Sequence, residues 1–141
     1  MKITYPATIV WSDSDEVFEA AFPDLPGCVT FGSTLEEAKT MASDALSGVL
    51  ESMIARGIAL PIPSSRKGRN IHSIEPAPSV SFAVWLRAKR KASGMTLTDV
   101  ADKLGVKYQV YQKLEDPAKT NPTLKTLAKL EKVFGERLIA V

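Results

Sequence analysis

The stretch Gly94–Glu115, GMTLTDVADKLGVKYQVYQKLE, reads as a helix, a tight turn and a second helix. Gly105, between Leu104 and Val106, can take the left-handed conformation that ends one helix and lets the next leave steeply, as in helix-turn-helix geometry. Thr96, followed three residues later by Asp99, satisfies the first free amides of the leading helix and sets negative charge at its positive end. Val100, Ala101 and Leu104 share one face, and Val106, Val110 and Leu114 are expected to continue that apolar seam in the second helix. Lys107, Tyr108, Gln109, Gln112 and Lys113 then remain outward, where such side chains reach phosphates and base edges. Tyr108 is expected at the exposed start of this helix and Tyr111 partly in the core.

Outward from this stretch, the spacing predicts a helix capped by Ser79 and running to about Ser93 on its N-terminal side. On the other side, a loop over 116–122 leads to a helix capped by Thr123, with Leu124, Leu127, Leu130 and Phe134 apolar and Gly135 as its stop. The closing Leu138-Ile139-Ala140-Val141 is apolar and β-prone, which suits either strand exchange across a dimer or a tail packed on its own domain.

The first half has a different grammar. Residues 2–11, KITYPATIVW, alternate with Ile3, Tyr5, Ala7, Ile9 and Trp11 on one face, a half-buried strand in which Pro6 must face an edge or a gap in the pairing. Ser12–Glu16 makes a turn, Val17–Phe22 a returning strand, Asp24–Gly27 another turn, and Cys28–Phe31 a short third strand ended by Gly32. Ser33 or Thr34, with Glu36 and Glu37 three residues on, opens a helix through a capping box. Its expected apolar stripe is Leu35, Ala38, Ala42, Ala45, Leu46, Val49 and Met53, closed by Arg56 and Gly57. A proline-rich connector over 58–69 precedes a fourth strand at Asn70–Glu75, and Pro76 and Pro78 then break the chain. The order is β-β-β-α-β followed by helices alone. It implies domains at 1–75 and 80–141 joined by a linker at 76–79.

A chain of 141 residues, 45% hydrophobic, has the composition of a globular protein. It contains no run of about 18 apolar residues and no basic-then-apolar start, so membrane and export readings fall away and a cytoplasmic location is expected. Cys28 is the only cysteine, which leaves no internal disulfide or thiolate cluster, and it reads as a small buried hydrophobe. The net charge of +2 conceals a split. Residues 1–78 hold six Lys and Arg against ten Asp and Glu, net −4, while residues 79–141 hold twelve against six, net +6. Two different partners follow, with nucleic acid for the basic half.

Catalysis requires several aligned groups, and Asp13, Asp15, Asp24, Glu36, Glu37 and His72 make no such set. The first two lie in a polar turn, Glu36 and Glu37 serve a helix start, and His72 has no second His for metal ligation or a triad. No enzyme, metal or cofactor is expected. The cations Arg87, Lys89, Arg90, Lys91, Lys103, Lys107, Lys113 and Lys119 suit solubility as well as DNA on charge alone. Joined to the helix-turn-helix pattern they point to DNA.

The order of features also resembles a known family. A hairpin, then Phe22-Pro23-Asp24-Leu25-Pro26-Gly27-Cys28, then Gly32-Ser33-Thr34-Leu35-Glu36-Glu37-Ala38 opening a helix, then Leu60-Pro61-Ile62-Pro63-Ser64, is similar to the HicB antitoxins of bacterial HicA-HicB toxin-antitoxin systems. Residues 80–135 look like the Cro/repressor helix-turn-helix type. The resemblance implies an α+β fold, with a degenerate ribonuclease-H-like N-terminal domain lacking the catalytic carboxylates and an all-α C-terminal DNA-binding domain. It implies binding and silencing of HicA, a small basic mRNA-cleaving toxin, assembly as a homodimer or higher even oligomer, and repression of the chain's own operon. On this reading the toxin-binding residues are Asp24, Pro26, Gly27, Cys28, Glu36 and Glu37, and the operator-binding residues are Thr96, Thr98, Lys107, Tyr108, Gln109, Gln112 and Lys113. Repressor-like domains often carry Gln at the position of Leu97 and Ser or Thr at that of Lys107, which leaves Thr96, Thr98 and Lys107 to substitute. Two other readings stand beside it: a stand-alone repressor whose N-terminal domain senses a small ligand, and a nuclease acting through Asp13, Asp24 or Glu37.

Overall fold

The structure, a computed structural model, describes residues 3–138. The chain divides into two compact units, Ile3–Ala77 and the residues from Pro78 onward. The first unit orders its elements as β1 (Tyr5–Ser12), β2 (Val17–Ala21), β3 (Val29–Gly32), α1 (Leu35–Ala55) and β4 (Ile71–Ile74). The second holds α2 (Pro78–Ala92), α3 (Leu97–Leu104), α4 (Tyr108–Leu114) and α5 (Leu124–Phe134). An antiparallel sheet with one helix, followed by helices alone, is an α+β arrangement. Among the described residues no helix is long and apolar enough to cross a membrane.

The four strands form one antiparallel sheet in the order β3-β2-β1-β4. Strand β1 is central, pairing with β2 from Thr8 onward and with β4 over Tyr5–Thr8. Pro6 therefore sits past the end of the β2 ladder, the gap its missing N–H requires. Tyr5, Ala7 and Ile9 are buried as the alternation predicts, while Trp11 is 48% exposed. The Trp11 ring meets Phe18 edge-on at 5.1 Å, and its indole N–H donates to Asp13 at 2.8 Å. The alternation was right about the face, but that end of the sheet is left uncovered.

Helix α1 lies against the face that carries Ile9 and Ala20. Thr34 is its cap, accepting from the Glu37 amide at 3.0 Å. The buried stripe is Ala38, Ala42, Leu46 and Leu50, a strict four-residue repeat. Leu50 is thus core, while Leu35, Ala45, Val49 and Met53 flank the contact rather than make it. Gly57 adopts φ 69°. Its amide reaches the Ile54 carbonyl at 3.1 Å and that of Ile58 reaches Met53 at 2.9 Å, the paired bonds of a Schellman close.

In the second unit α2 starts at Pro78, so Ser79 lies inside the helix and is not its cap. Proline suits a first helical position because its missing N–H would have had no partner there. Val80, Ala83 and Leu86 are fully buried, and Trp85 meets Phe134 of α5 edge-on at 6.4 Å. Thr123 caps α5 and Gly135 ends it at φ 65°, as expected, but Leu124 is 70% exposed and contributes nothing to the core. Leu138 is buried, and its amide donates to the Glu131 carboxylate at 2.8 Å. The strand exchange expected of the terminal segment falls on residues 139–141, outside the described residues.

Candidate functional site

Two surfaces carry the expected site residues, one on each unit. In the second unit, Thr96 Oγ1 accepts from the Asp99 amide at 3.1 Å while Asp99 Oδ2 accepts from the Thr96 amide at 2.8 Å, a reciprocal capping box. The Thr96 backbone hydrogen bond, with help from the Thr96 side chain and Lys103, holds the Asp99 carboxyl below its ordinary pKa. Gly105 ends α3 in the left-handed conformation at φ 71°. Lys107 occupies the cap position of α4 and forms no side-chain cap bond, so the departure read in the sequence leaves this helix start uncapped.

The seven residues of α4 are oriented by one side chain. Tyr111 is completely buried, whereas Val110 is 50% exposed and sits at the open margin of the apolar seam. Behind Tyr111 lies a buried ion pair. Arg90 of α2 donates from Nε to Glu115 Oε2 at 2.7 Å and from Nη2 to Oε1 at 3.1 Å, and its Nη1 reaches the Met95 carbonyl at 3.1 Å. This fork fastens the end of α4 and the turn before α3 to α2. The Tyr111 hydroxyl sits beside it, and burial, then Glu115, pushes its pKa far above the usual tyrosine value.

With Tyr111 inward, Lys107, Tyr108, Gln109, Gln112 and Lys113 are all exposed, as are Thr96 and Thr98. The structure thus gathers amides, a phenol and cations on one helix and the helix start before it. Of the basic cluster on α2, Arg90 is committed to Glu115 and Lys89 to Glu136, so these two are structural cations rather than a free electrostatic footprint. Beside α4 is a cavity of about 250 Å³, floored by Leu104, Val106, Val110 and Leu114 and rimmed by Lys113 and Lys129.

The expected toxin-binding residues lie at one margin of the first unit. Between Ala21 and Val29 the chain makes a compact turn in which Leu25 donates to the Phe22 carbonyl at 3.0 Å and Cys28 to that of Leu25 at 3.0 Å. Asp24 is half-buried and accepts from the Ser64 amide at 2.8 Å, while Pro26 and Gly27 are exposed, Gly27 at φ 88°. Cys28 is buried, which raises its thiol pKa, so its side chain belongs to the core. Glu36 and Glu37 are exposed on the first turn of α1, Glu36 paired with Lys39 at 3.6 Å. Among the described residues no group of three or more His, Cys, Asp or Glu is placed to hold a metal.

Strand β3 separates these two groups, and the sequence reading missed what it presents. Val29 is 54% and Phe31 63% exposed. Thr30, opposite Ala20, and Gly32, opposite Phe18, take the face toward α1. Gly32 must do so, since a Cβ there would stand 2.4 Å from the Ala38 backbone nitrogen. Close approach of α1 therefore puts the strand's small and polar residues inside and its large apolar ones outside. Glycine at the end of a strand that directly precedes a helix was the available signal.

The model of the HicB-like antitoxin of bacterial toxin-antitoxin systems matches residues 5–126. The protein named Antitoxin HicB 1 of Photorhabdus laumondii is 28% identical over 137 residues, spanning 97% of this chain and 85% of that protein. Among solved structures, a chain of a HicA3 and HicB3 toxin-antitoxin complex is 25% identical, covers 54% of this chain and 100% of its own, and has a TM-score of 0.45. A chain of a toxin-antitoxin complex from Streptococcus pneumoniae is 20% identical, covers 72% of this chain and 95% of its own, and has a TM-score of 0.49.

Proposed function

The chain belongs to the HicB-like antitoxins of bacterial toxin-antitoxin systems, and from that membership we propose that it binds and neutralises a HicA-type mRNA-cleaving toxin through its first unit and represses its own operon through its second. It is an antitoxin, not an enzyme. The observation that carries the proposal is the extent of the match, which runs from β1 into α5 and so through both units.

In this reading the first unit is a degenerate ribonuclease-H-like domain. Its carboxylates serve as cover rather than catalysts: an acidic surface competes with RNA phosphate for the cations of an RNA-binding toxin. Asp24, Pro26, Gly27, Glu36 and Glu37 present that surface, with Cys28 supporting the turn from beneath. The second unit is a helix-turn-helix in which α4 enters the major groove. Tyr108, Gln109, Gln112 and Lys113 face the bases and phosphates, and Thr96, Thr98 and Lys107 the flanking backbone. A homodimer supplies two such helices for two half-sites, and the uncapped start of α4 makes that doubling the main source of affinity.

Co-expression with the HicA-type toxin of the proposed operon tests the reading. The chain is expected to restore growth arrested by that protein and to shift a DNA fragment carrying its own promoter. Promoter binding without rescue would instead favour a stand-alone repressor.

A further inference from the structure

Strand β3 is the outermost strand of the sheet, at the opposite edge from β4. The amide of Phe22 donates to the Cys28 carbonyl at 3.2 Å, which fixes the Cys28 carbonyl toward β2. Strand alternation then turns the N–H and C=O of Val29 and Phe31 away from β2, and those of Thr30 toward it. The two residues with outward backbone groups are also the two with large exposed side chains.

Natural edge strands are usually blunted by charge, proline or a bulge. The sequence Val29-Thr30-Phe31-Gly32 carries none of these. The other edge differs: Ile71 and His72 are only half-exposed, Ile74 is buried, and the exposed residue is Ser73. Around β3 the charges are acidic. Glu19 stands directly across from Phe31, and Asp24, Glu36 and Glu37 lie in the turn before the strand and the helix start after it. The cations of this unit other than Lys39 all come from Arg56 onward.

We propose that β3 is the docking edge for the toxin, which adds an extended segment to the sheet by backbone pairing with Val29 and Phe31. The inference rests on the antitoxin reading and specifies its contact. Backbone pairing supplies affinity, apolar partner side chains cover Val29 and Phe31, and flanking Lys or Arg side chains meet Glu19, Glu36 and Glu37. The occupant is thus a basic protein with an unpaired apolar strand.

The test is hydrogen exchange of the full-length chain, alone and mixed with the purified HicA-type toxin of the proposed operon, a small basic protein, together with affinities of two variants. Val29→Pro removes one outward N–H and leaves the β2 ladder intact, and Phe31→Asp places a charge in the contact. In the complex the amides of Val29 and Phe31 are expected to exchange at least ten-fold more slowly, and each variant, folded by circular dichroism, to bind at least ten-fold more weakly. Ser73→Asp on the β4 edge is expected to bind within two-fold of the parent. Tight binding with unchanged exchange at residues 29–32 and parental affinity of Phe31→Asp would overturn the β3 assignment and leave the antitoxin reading intact. Protection of β3 in the chain alone, growing with concentration, would overturn it in favour of pairing between two copies. Failure of the parent chain to bind the basic protein would remove the antitoxin reading and the assignment together.

Discussion

At the residue scale, the orientation of α4 rests on Tyr111 and the Arg90–Glu115 pair, and their contributions are separable. Glu115→Ala leaves the Arg90 guanidinium buried without its partner and is expected to cost about 3 kcal/mol in urea denaturation. Tyr111→Phe keeps the ring and removes a buried hydroxyl beside that pair. The same assay should find a change of no more than about 1 kcal/mol, well below that of Glu115→Ala. Tyr5 gives a pH signature in the other unit. Its hydroxyl donates to the Pro61 carbonyl at 2.7 Å, and burial, reinforced by Asp24, pushes its pKa up to about 12. A folded pKa raised above that of the unfolded chain means the stabilisation is complete below about pH 10 and is lost as pH rises toward 12. Unfolding free energy measured from pH 9 to 12 should fall across that window, and less steeply in Tyr5→Phe.

At the scale of elements, what was legible in the sequence was local. Thr34, Thr96, Thr123, Gly57, Gly105 and Gly135 mark helix ends through bonds spanning a few residues, and all six do so in the structure. What was not legible depends on contacts that the local pattern at each position does not contain. Two turns of helix do not fix their own phase, so the choice between Val110 and Tyr111 as the inward residue of α4 follows from Arg90, 25 residues before Glu115. Ser79 resembled a cap in isolation, but Pro78 had already begun the helix. The outward face of β3 is set by the contact of Gly32 with Ala38, which no alternation pattern contains. Gly32→Ala must displace α1 and is expected to destabilise by about 2 kcal/mol or more. Gly48 lies inside α1, and beyond its own helix nothing stands within 4 Å of where a Cβ would be. Gly48→Ala is therefore expected to stabilise by about 0.5–1 kcal/mol, and thermal melts of the two variants check the contrast.

At the scale of the whole molecule, the opposed charges of residues 1–78 and 79–141, the match reaching both units, and the separate site surfaces support a division of labour. The margin proposed to face the toxin was suggested only by resemblance to a family, because its residues are turn-formers and helix-cappers whose local roles hide any other. The exposed polar face of α4, proposed to meet DNA, was legible directly, since Gln and Lys beside Tyr108 have no local structural task. The most direct measurement titrates one preparation of the Gln109→Ala/Lys113→Ala variant and one of the parent with both partners, the basic protein by calorimetry and promoter DNA by band shift. A division of labour predicts basic-protein affinity within two-fold of the parent and DNA affinity reduced at least ten-fold. Equal loss of both affinities in a variant that remains folded, or undiminished DNA binding, would contradict it.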